Sequence, residues 1–343
     1  MLIDIYAHLV PRKYWDEVVR RIGNSTLEQY VSREALGVEL TRTLWNMEER
    51  FRLMDKYPDM VEVIIPSGPP LELIASPNDA LELARIYNDE MARLVAEHHD
   101  RFIGAVAVLP MNNVDGVLRE AERALNELGF RGVLIQTPIY GNDPSITMPI
   151  DGEELMALYE MMSRHDLPIW LHPKREFSIP DYTTEKTSKY LIHQMFGWPY
   201  ETTVAMARLV FSGVLERYPN LKVITHHAGG MVPFLGKRIV NQCDWYRVGL
   251  KVKFLDRLSK PPVEYFRLFY ADTAVYSNAS ALMCARDFFG TDHILFGTDM
   301  PYDSQLGERS ITEGIDGIER MEIDKNEKHK IFEANARTIL KLG

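Results

Sequence analysis

Cysteine is scarce in this chain of 343 residues, which contains Cys243 and Cys284 and no Cys-x-x-Cys pair. So few and so widely spaced thiols argue against a disulfide framework and against a cysteine-based zinc site. We expect both to be reduced, buried thiols without a catalytic role.

Long apolar runs and an excess of basic residues are also missing. No run of about 18 consecutive apolar residues occurs, and no basic segment followed by an apolar stretch opens the chain. The formal charge of -10 and the pI near 5.5 argue against nucleic acid or an anionic membrane as the partner, since both attract basic surfaces. We therefore expect a cytoplasmic protein that acts on a small molecule.

Linkers and nucleotide-binding motifs are absent as well. No Pro/Gly/Ser-rich stretch or block of charge divides the chain, and its 46% hydrophobic content suffices for a large core. A doubly wound open sheet is the second architecture that the pattern allows, but no Gly-x-Gly-x-x-Gly follows the first strand and no Walker sequence occurs. We expect one domain over residues 1–343.

Short apolar segments that alternate with helical patterns dominate what is present. Strands buried on both faces read as continuous apolar runs, and eight of them separated by helices are typical of a parallel barrel. We therefore predict an α/β fold, a single-domain (β/α)8 TIM-type barrel, in which residues 174–200 after the fifth strand form a lid-like insertion or a dimer element. The predicted strands are 3–10, 61–66, 103–110, 132–136, 168–172, 221–227, 268–272 and 294–299.

Polar side chains end five of these strands: His8, His172, His227, Asp272 and Asp299. A parallel barrel brings the carboxyl ends of its strands to one mouth, where its functional groups lie. Imidazoles and a carboxylate that converge there favour a divalent metal, with Zn(II) fitting best and Mn(II) or Fe(II) as alternatives.

Four motifs, in the same order along the chain, carry a resemblance. The first-strand motif and residues 170–173, 225–233 and 296–302 resemble the amidohydrolase-related family of the amidohydrolase superfamily. That family includes decarboxylases of aminocarboxymuconate semialdehyde, resorcylate and carboxyvanillate. The resemblance implies a metal-dependent, non-oxidative decarboxylase of an aromatic or unsaturated hydroxylated carboxylic acid, and a homodimer.

The resemblance also implies roles for individual residues. His8, His172 and Asp299 would hold the metal, and Asp299 or His227 would donate the proton. His227 matches the family's active-site histidine because six residues separate it from Pro233, as in the family. His226 precedes it on the predicted strand, so we expect its side chain to face the other way.

Position 6 departs from the family pattern, because the decarboxylases usually have His-x-His or Glu-x-His where this chain has Tyr6-Ala7-His8. Three roles for Tyr6 remain open: a metal ligand, a hydrogen-bond donor to substrate or to metal-bound water, and a packing residue in a site without metal. A phenol with an ordinary pKa of about 10 binds metal poorly, which favours the donor role.

Four further residues are predicted around the substrate. Lys174 or Arg175 would neutralise the carboxylate of the substrate. Tyr302 would shape the pocket, and Asp272 would either contact the substrate, support a neighbouring site residue or cap a helix.

Two other functions stay open. A hydrolase of a lactone, amide or related acyl bond would use the same residues, with the metal lowering the pKa of its water to about 7 and His227 or Asp299 taking the proton. A metal-free binding protein on the same scaffold is suggested by Tyr6 alone.

Overall fold

Eight parallel strands form the centre of the protein, whose computed structural model describes residues 1–22, 39–141 and 146–342. The prediction of eight strands is confirmed, although several are shorter than expected. The strands are β1 (Leu2–Leu9), β2 (Met60–Pro66), β3 (Phe102–Ala105), β4 (Val133–Thr137), β5 (Ile169–Pro173), β6 (Val223–Thr225), β7 (Tyr270–Asp272) and β8 (Ile294–Leu295).

Backbone hydrogen bonds close these strands into a ring. One sheet has the order β1-β2-β3 and the other β8-β7-β6-β5-β4. The chain after β3 joins the two sheets through Leu134, whose N–H donates to the carbonyl of Ala107 at 2.8 Å. On the opposite side Ile5 N–H donates to Phe296 O at 3.0 Å and His8 N–H to Met300 O at 3.0 Å. The predicted TIM-type barrel is therefore confirmed.

Helices surround the ring and follow most of the predicted patterns. Ser76 and Asn113 begin two of them by accepting the N–H groups of Asp79 and Gly116, as expected for these cap residues. A short antiparallel ribbon, Ile139–Tyr140 with Thr147–Met148, was not predicted. The α-helices are Arg12–Ile22, Met47–Met54, Leu71–Ile74, Pro77–Glu97, Val114–Asn126, Met156–His165, Trp198–Phe211, Val214–Arg217, Val232–Trp245, Pro262–Phe266, Ala279–Phe289, Glu308–Glu319, Lys325–His329 and Asn335–Leu340.

The core has two layers, as the barrel architecture requires. Inward side chains such as Ile3, Ile65 and Trp170 fill the barrel, and a larger cluster packs between the strands and the helices. Trp170 also donates its indole N–H to Ile5 O at 3.0 Å across the barrel. No helix of the described residues has the length and apolar character that a bilayer span requires.

The segment after β5 is largely exposed and irregular, with Tyr182 and Tyr190 open to solvent. It ends in a π-helical turn, His193–Gly197, that leads directly into the helix beginning at Trp198. The Trp198 ring packs edge-on against His172, with ring centres 5.8 Å apart. The segment therefore reaches the carboxyl end of β5.

An ion pair is buried beneath the first strand. Arg50 and Glu62 are both fully buried, and the Arg50 Nε donates to Glu62 Oε2 at 2.8 Å. The Arg50 Nη1 also donates to the carbonyls of His8 at 2.7 Å and Thr43 at 3.1 Å. The guanidinium thus holds the end of β1 against the helix Met47–Met54.

We predict that Glu62→Gln lowers the free energy of unfolding by about 3–5 kcal/mol, because it leaves a buried guanidinium without a counter-charge. Urea denaturation followed by circular dichroism measures the change. Glu48→Gln is the control, since Glu48 pairs with Arg52 on an exposed helix face and should alter stability little. Equal effects of the two substitutions would contradict the prediction.

Candidate metal centre

The carboxyl ends of β1, β5, β6 and β8 bring four histidines and an aspartate to one mouth of the barrel. The Nε2 atoms of His8 and His226 lie 3.1 and 3.4 Å from the same oxygen, Oδ1 of Asp299. The ring of His172 lies 5.3 Å from the rings of both His8 and His226, between centres. The expectation that distant strand ends meet here is therefore correct.

The expectation that His226 faces away from the site is wrong. His226 is still extended, with φ -91° and ψ 160°, so alternation along β6 places it on the barrel side together with Ile224. The backbone then turns, with positive φ angles of 54° at His227 and 55° at Ala228. Because of this turn His226 and His227 lie on the same side, with ring centres 3.7 Å apart.

Three of the four imidazoles, those of His8, His172 and His226, are oriented through their Nδ1 atoms. His8 Nδ1 contacts Pro66 O at 3.0 Å and His172 Nδ1 contacts Pro173 O at 2.7 Å. His226 Nδ1 contacts a carboxylate oxygen of Asp272. A carbonyl or carboxylate can only accept, so Nδ1 carries the hydrogen in all three rings. Their Nε2 atoms are left with a lone pair when the rings are neutral.

This arrangement fits a divalent cation. Nε2 of His8 and Nε2 of His226 are buried without a hydrogen-bond partner, and both point toward Asp299. An imidazole whose Nδ1–H is bonded to oxygen is the usual form of a metal-binding histidine. Among the described residues, His226, His227 and Asp299 offer ligand atoms that all lie within 4.8 Å of one another.

The charges around Asp299 favour a positive group between the strand ends. Burial alone would lower the pKa of His226, but the carboxylates of Asp272 and Asp299 outweigh it and raise the pKa to about 9. Burial would likewise raise the pKa of Asp299, but His226 and His8 hold it well below its ordinary range. Asp299 is therefore ionised and available to a cation.

The other two histidines are neutral near pH 7. Burial and the neighbouring His226 lower the pKa of His227 to about 4. Burial and the charges of His8 and His226 hold the pKa of His172 well below its ordinary value. A neutral imidazole is the form that binds a metal or accepts a proton.

Tyr6 lies at the floor of the site rather than among the ligand atoms. Its ring stacks on His226, with centres 4.0 Å apart and planes within 4°. Its hydroxyl donates to Leu171 O at 3.4 Å. Burial, together with Asp272 and Asp299, raises the pKa of Tyr6 well above 10, which opposes the phenolate that a ligand would require.

The predicted substrate-binding residues are spread over several positions. Lys174 is buried, with Nζ 5.4 Å from the ring centre of Trp198. Arg175 pairs with Glu201 at 2.9 Å. The Tyr302 ring packs edge-on against His8, and its hydroxyl contacts Ser67.

Asp272 lies behind the site, fully buried and saturated with partners. One carboxylate oxygen accepts the N–H groups of Ala228 at 3.0 Å and Ala274 at 3.1 Å, and the other contacts His226. These contacts correspond to the second of the three predicted roles of Asp272, support of a neighbouring site residue, which is His226.

Two features of the site were missed from the sequence. The orientation of His226 follows from its parity with Ile224 inside the barrel, whereas that of His227 follows from the turn, which the two glycines Gly229 and Gly230 could have indicated. Gly297 was not singled out either, although a Cβ there would lie 3.0 Å from Cβ of Tyr6 and 3.1 Å from Cβ of Asp272. Only glycine lets the chain after β8 pass between them.

Comparison with known proteins identifies the family. The profile of the amidohydrolase family matches residues 3–342, and the chain therefore belongs to this family.

Three relatives illustrate its position within the family. The gamma-resorcylate decarboxylase of Polaromonas sp. (strain JS666) is 30% identical over 304 residues, 88% of this chain and 90% of the relative. The 2-amino-3-carboxymuconate-6-semialdehyde decarboxylase of Dictyostelium discoideum is 28% identical over 99% of this chain and 91% of its own. The crystal structure of a dihydroxybenzoic acid decarboxylase from Polaromonas sp. JS666, with bound manganese and 2-nitroresorcinol, has a TM-score of 0.80 at 27% identity, covering 99% of this chain and 97% of that one.

A buried carboxyl group on β1 supports the residue before Asp299. Asp4 accepts the N–H of Thr298 at 3.1 Å and the N–H of Tyr6 at 3.0 Å, and it contacts the Thr298 hydroxyl at 2.5 Å. Burial raises its pKa from 3.8 to about 7, although the hydrogen bonds from Thr298 oppose the increase. The folded protein thus keeps Asp4 neutral well above the pH at which the unfolded chain ionises it.

Because the folded pKa is raised, Asp4 contributes stability that is complete below about pH 4 and is lost as the pH rises through about 7. The substitution Asp4→Asn keeps the size and shape of the neutral carboxyl group but cannot ionise. We predict that the free energy of unfolding of the wild type falls, relative to Asp4→Asn, by roughly 2–3 kcal/mol between about pH 5 and about pH 8. Urea denaturation at both pH values measures this difference, and a constant difference would contradict the prediction.

Proposed function

We propose that this protein is a metal-dependent, non-oxidative decarboxylase of a hydroxylated aromatic carboxylic acid. The observation that carries the proposal is the convergence of His8 and His226 on Asp299 through unpartnered Nε2 atoms. Relatives of comparable length include a gamma-resorcylate decarboxylase and a 2-amino-3-carboxymuconate-6-semialdehyde decarboxylase, and the solved dihydroxybenzoic acid decarboxylase contains manganese.

The metal would be held by His8, His172 and Asp299, with Mn(II) or Zn(II) as the ion. Oxygen and imidazole donors suit both ions, and the sequence alone favours Zn(II). When bound, the ion supplies Lewis acidity toward the carboxylate and neighbouring hydroxyl oxygens of the substrate.

The chain's own residues would handle the proton. In decarboxylation the bond between the ring carbon and the carboxyl carbon breaks, CO2 leaves, and the electron pair forms a new bond from the ring carbon to a proton. His227 lies beside Asp299 at the mouth; it is neutral near pH 7, so it would first take up a proton from solvent and then pass it to the ring carbon, with Asp299 as the alternative carrier. A site closed to water would favour this step over hydrolysis.

Lys174 and the insertion would bind and cover the substrate. Lys174 follows the strand of His172 and is buried beside Trp198, which itself contacts His172. We assign Lys174 to the carboxylate of the substrate and residues 174–200 to a lid over the mouth. Arg175 is less suited to the carboxylate because Glu201 already neutralises it.

We predict that the Mn²⁺-loaded protein releases CO2 from a carboxyl-labelled hydroxybenzoic acid such as gamma-resorcylate, and that a chelator abolishes the release. Benzoate is the matched control, since it lacks the hydroxyl group beside the carboxylate. Release that never exceeds a heat-killed sample across a panel of such acids would refute the proposal. Solvent oxygen-18 appearing in the product of a lactone or amide would instead support the hydrolase alternative.

We predict that His227→Asn lowers kcat by about 10²–10⁴-fold, the usual effect of removing a positioned acid or base, with the metal content unchanged. Steady-state kinetics and elemental analysis of the same preparation provide the two measurements. His293→Asn is the control, because His293 lies before β8 and bonds to Phe269 O on another part of the barrel. Loss of metal in His227→Asn would make this residue a ligand instead.

We also propose a homodimer. Phe234 and Trp245 lie about three turns apart on one face of the helix Val232–Trp245, and Val248 follows. Their exposed fractions are 82%, 60% and 78%, which is unusual for large apolar side chains. A second copy of the chain would cover this face.

For the homodimer we predict a mass of twice 39.6 kDa by light scattering, and a shift toward the monomer in Phe234→Glu. The shift would follow from placing a carboxylate in an apolar contact. Val114→Glu, an exposed apolar residue at the start of another helix, should leave the mass unchanged. A monomeric wild type would overturn the proposal.

A further inference from the structure

The first strand contributes one imidazole to the site, although its alternation places a second side chain on the same face. That second side chain is Tyr6, whose ring packs flat on His226 and whose hydroxyl donates to a backbone carbonyl. His8 is thus the strand's only side chain that presents a nitrogen toward Asp299. A metal bound beside Asp299 therefore receives no second ligand from this strand, and any ligand beyond His8, His172 and Asp299 comes from another one.

We propose that His226 is that ligand, and that Asp272 and Tyr6 act as positioning residues that hold its imidazole. The inference rests on the proposed function only in requiring that a metal binds beside Asp299. His227, next in the chain, keeps the separate role of carrying the proton.

The first support is the direction of the free nitrogen. His226 is fully buried, and its Nε2 has no hydrogen-bond partner and lies 3.4 Å from Asp299 Oδ1. A buried nitrogen that faces a carboxylate oxygen with no other polar atom to bond is placed as a metal ligand would be. A cation between Nε2 and Asp299 would bind to both atoms.

The second support is the anchor at the other nitrogen. Asp272 is fixed by two backbone N–H groups on one oxygen, which leaves its second oxygen to receive Nδ1–H of His226. The carboxylate therefore keeps the hydrogen on Nδ1 and the lone pair on Nε2. Such a carboxylate behind a histidine orients the ring and raises its basicity toward a metal.

The third support is the plane of the ring. Tyr6 lies parallel to His226 with centres 4.0 Å apart, a packing that opposes rotation of the imidazole about its Cβ–Cγ bond. The stacking needs the aromatic ring of Tyr6 but not its hydroxyl. This distinction separates the proposal from one in which Tyr6 itself binds the metal.

The test is a titration of chelator-treated protein with Mn²⁺, in which electron paramagnetic resonance reports the free ion. Tyr6→Phe should change the dissociation constant by less than threefold, because the stack is kept. Asp272→Asn should weaken binding about 10–100-fold, the usual effect of altering the residue behind a ligand. The asparagine amide would donate to Nδ1 and move the hydrogen of His226 to Nε2.

His226→Gln should weaken Mn²⁺ binding at least as much as Asp272→Asn. In the loaded protein, electron spin-echo signals from coordinated imidazole should also fall by one ring relative to the wild type. His293→Gln is the matched control and should bind Mn²⁺ as the wild type does. Circular dichroism confirms the fold of each variant, and if His226→Gln does not fold, Tyr6→Phe and Asp272→Asn decide the question.

The inference is overturned if Tyr6→Phe loses Mn²⁺ while Asp272→Asn retains it, or if His226→Gln keeps wild-type affinity. In either case a wild type that binds Mn²⁺ and releases CO2 leaves the proposed function intact. A wild type that binds Mn²⁺ with His226 but releases no CO2 from any acid overturns the proposed function alone. A wild type that binds neither Mn²⁺ nor Zn²⁺ overturns both.

Discussion

Closure of the barrel between its first and last strands is the constraint on which the site depends. The N–H groups of His8 and Asp299 each donate to a carbonyl of the opposite segment, at Met300 and Tyr6. These two bonds bring an imidazole and a carboxylate from opposite ends of the chain to 3.1 Å. Asp4, which accepts the N–H of Thr298, adds a side-chain hydrogen bond between β1 and the chain after β8.

The two carboxylates at the site, Asp272 and Asp299, supply negative charge that a bound cation would balance. The buried carboxylate of Asp272 and the partly exposed carboxylate of Asp299 flank His226, and their combined field raises the pKa of that imidazole to about 9. His227, one residue on, has its pKa lowered to about 4 by burial and by the charge of His226. Without a bound cation, adjacent residues of one type therefore acquire opposite protonation states near pH 7, and a cation beside Asp299 would take the place of the proton on His226.

The fold could be predicted from the sequence to a large extent, because strands buried on both faces leave continuous apolar runs and helices leave a distinct period. The meeting of His8 and Asp299 also follows from barrel geometry alone. The position of His227 beside His226 could not be predicted in the same way, since the alternation of side chains along a strand gives no information once the backbone adopts positive φ at His227. The contacts of Tyr6 likewise depend on which ring lies opposite it across the barrel.

The geometry of the site also depends on Gly297, a residue that contacts none of the proposed metal ligands. The chain after β8 passes between Tyr6 and Asp272, where the space for a side chain is about that of a hydrogen atom. Tyr6 stacks on the imidazole of His226, and Asp272 contacts its Nδ1 atom. A methyl group at position 297 would require Tyr6 or Asp272 to shift by a few tenths of an ångström. The packing of the barrel interior and the geometry of the metal centre are therefore coupled through this one position.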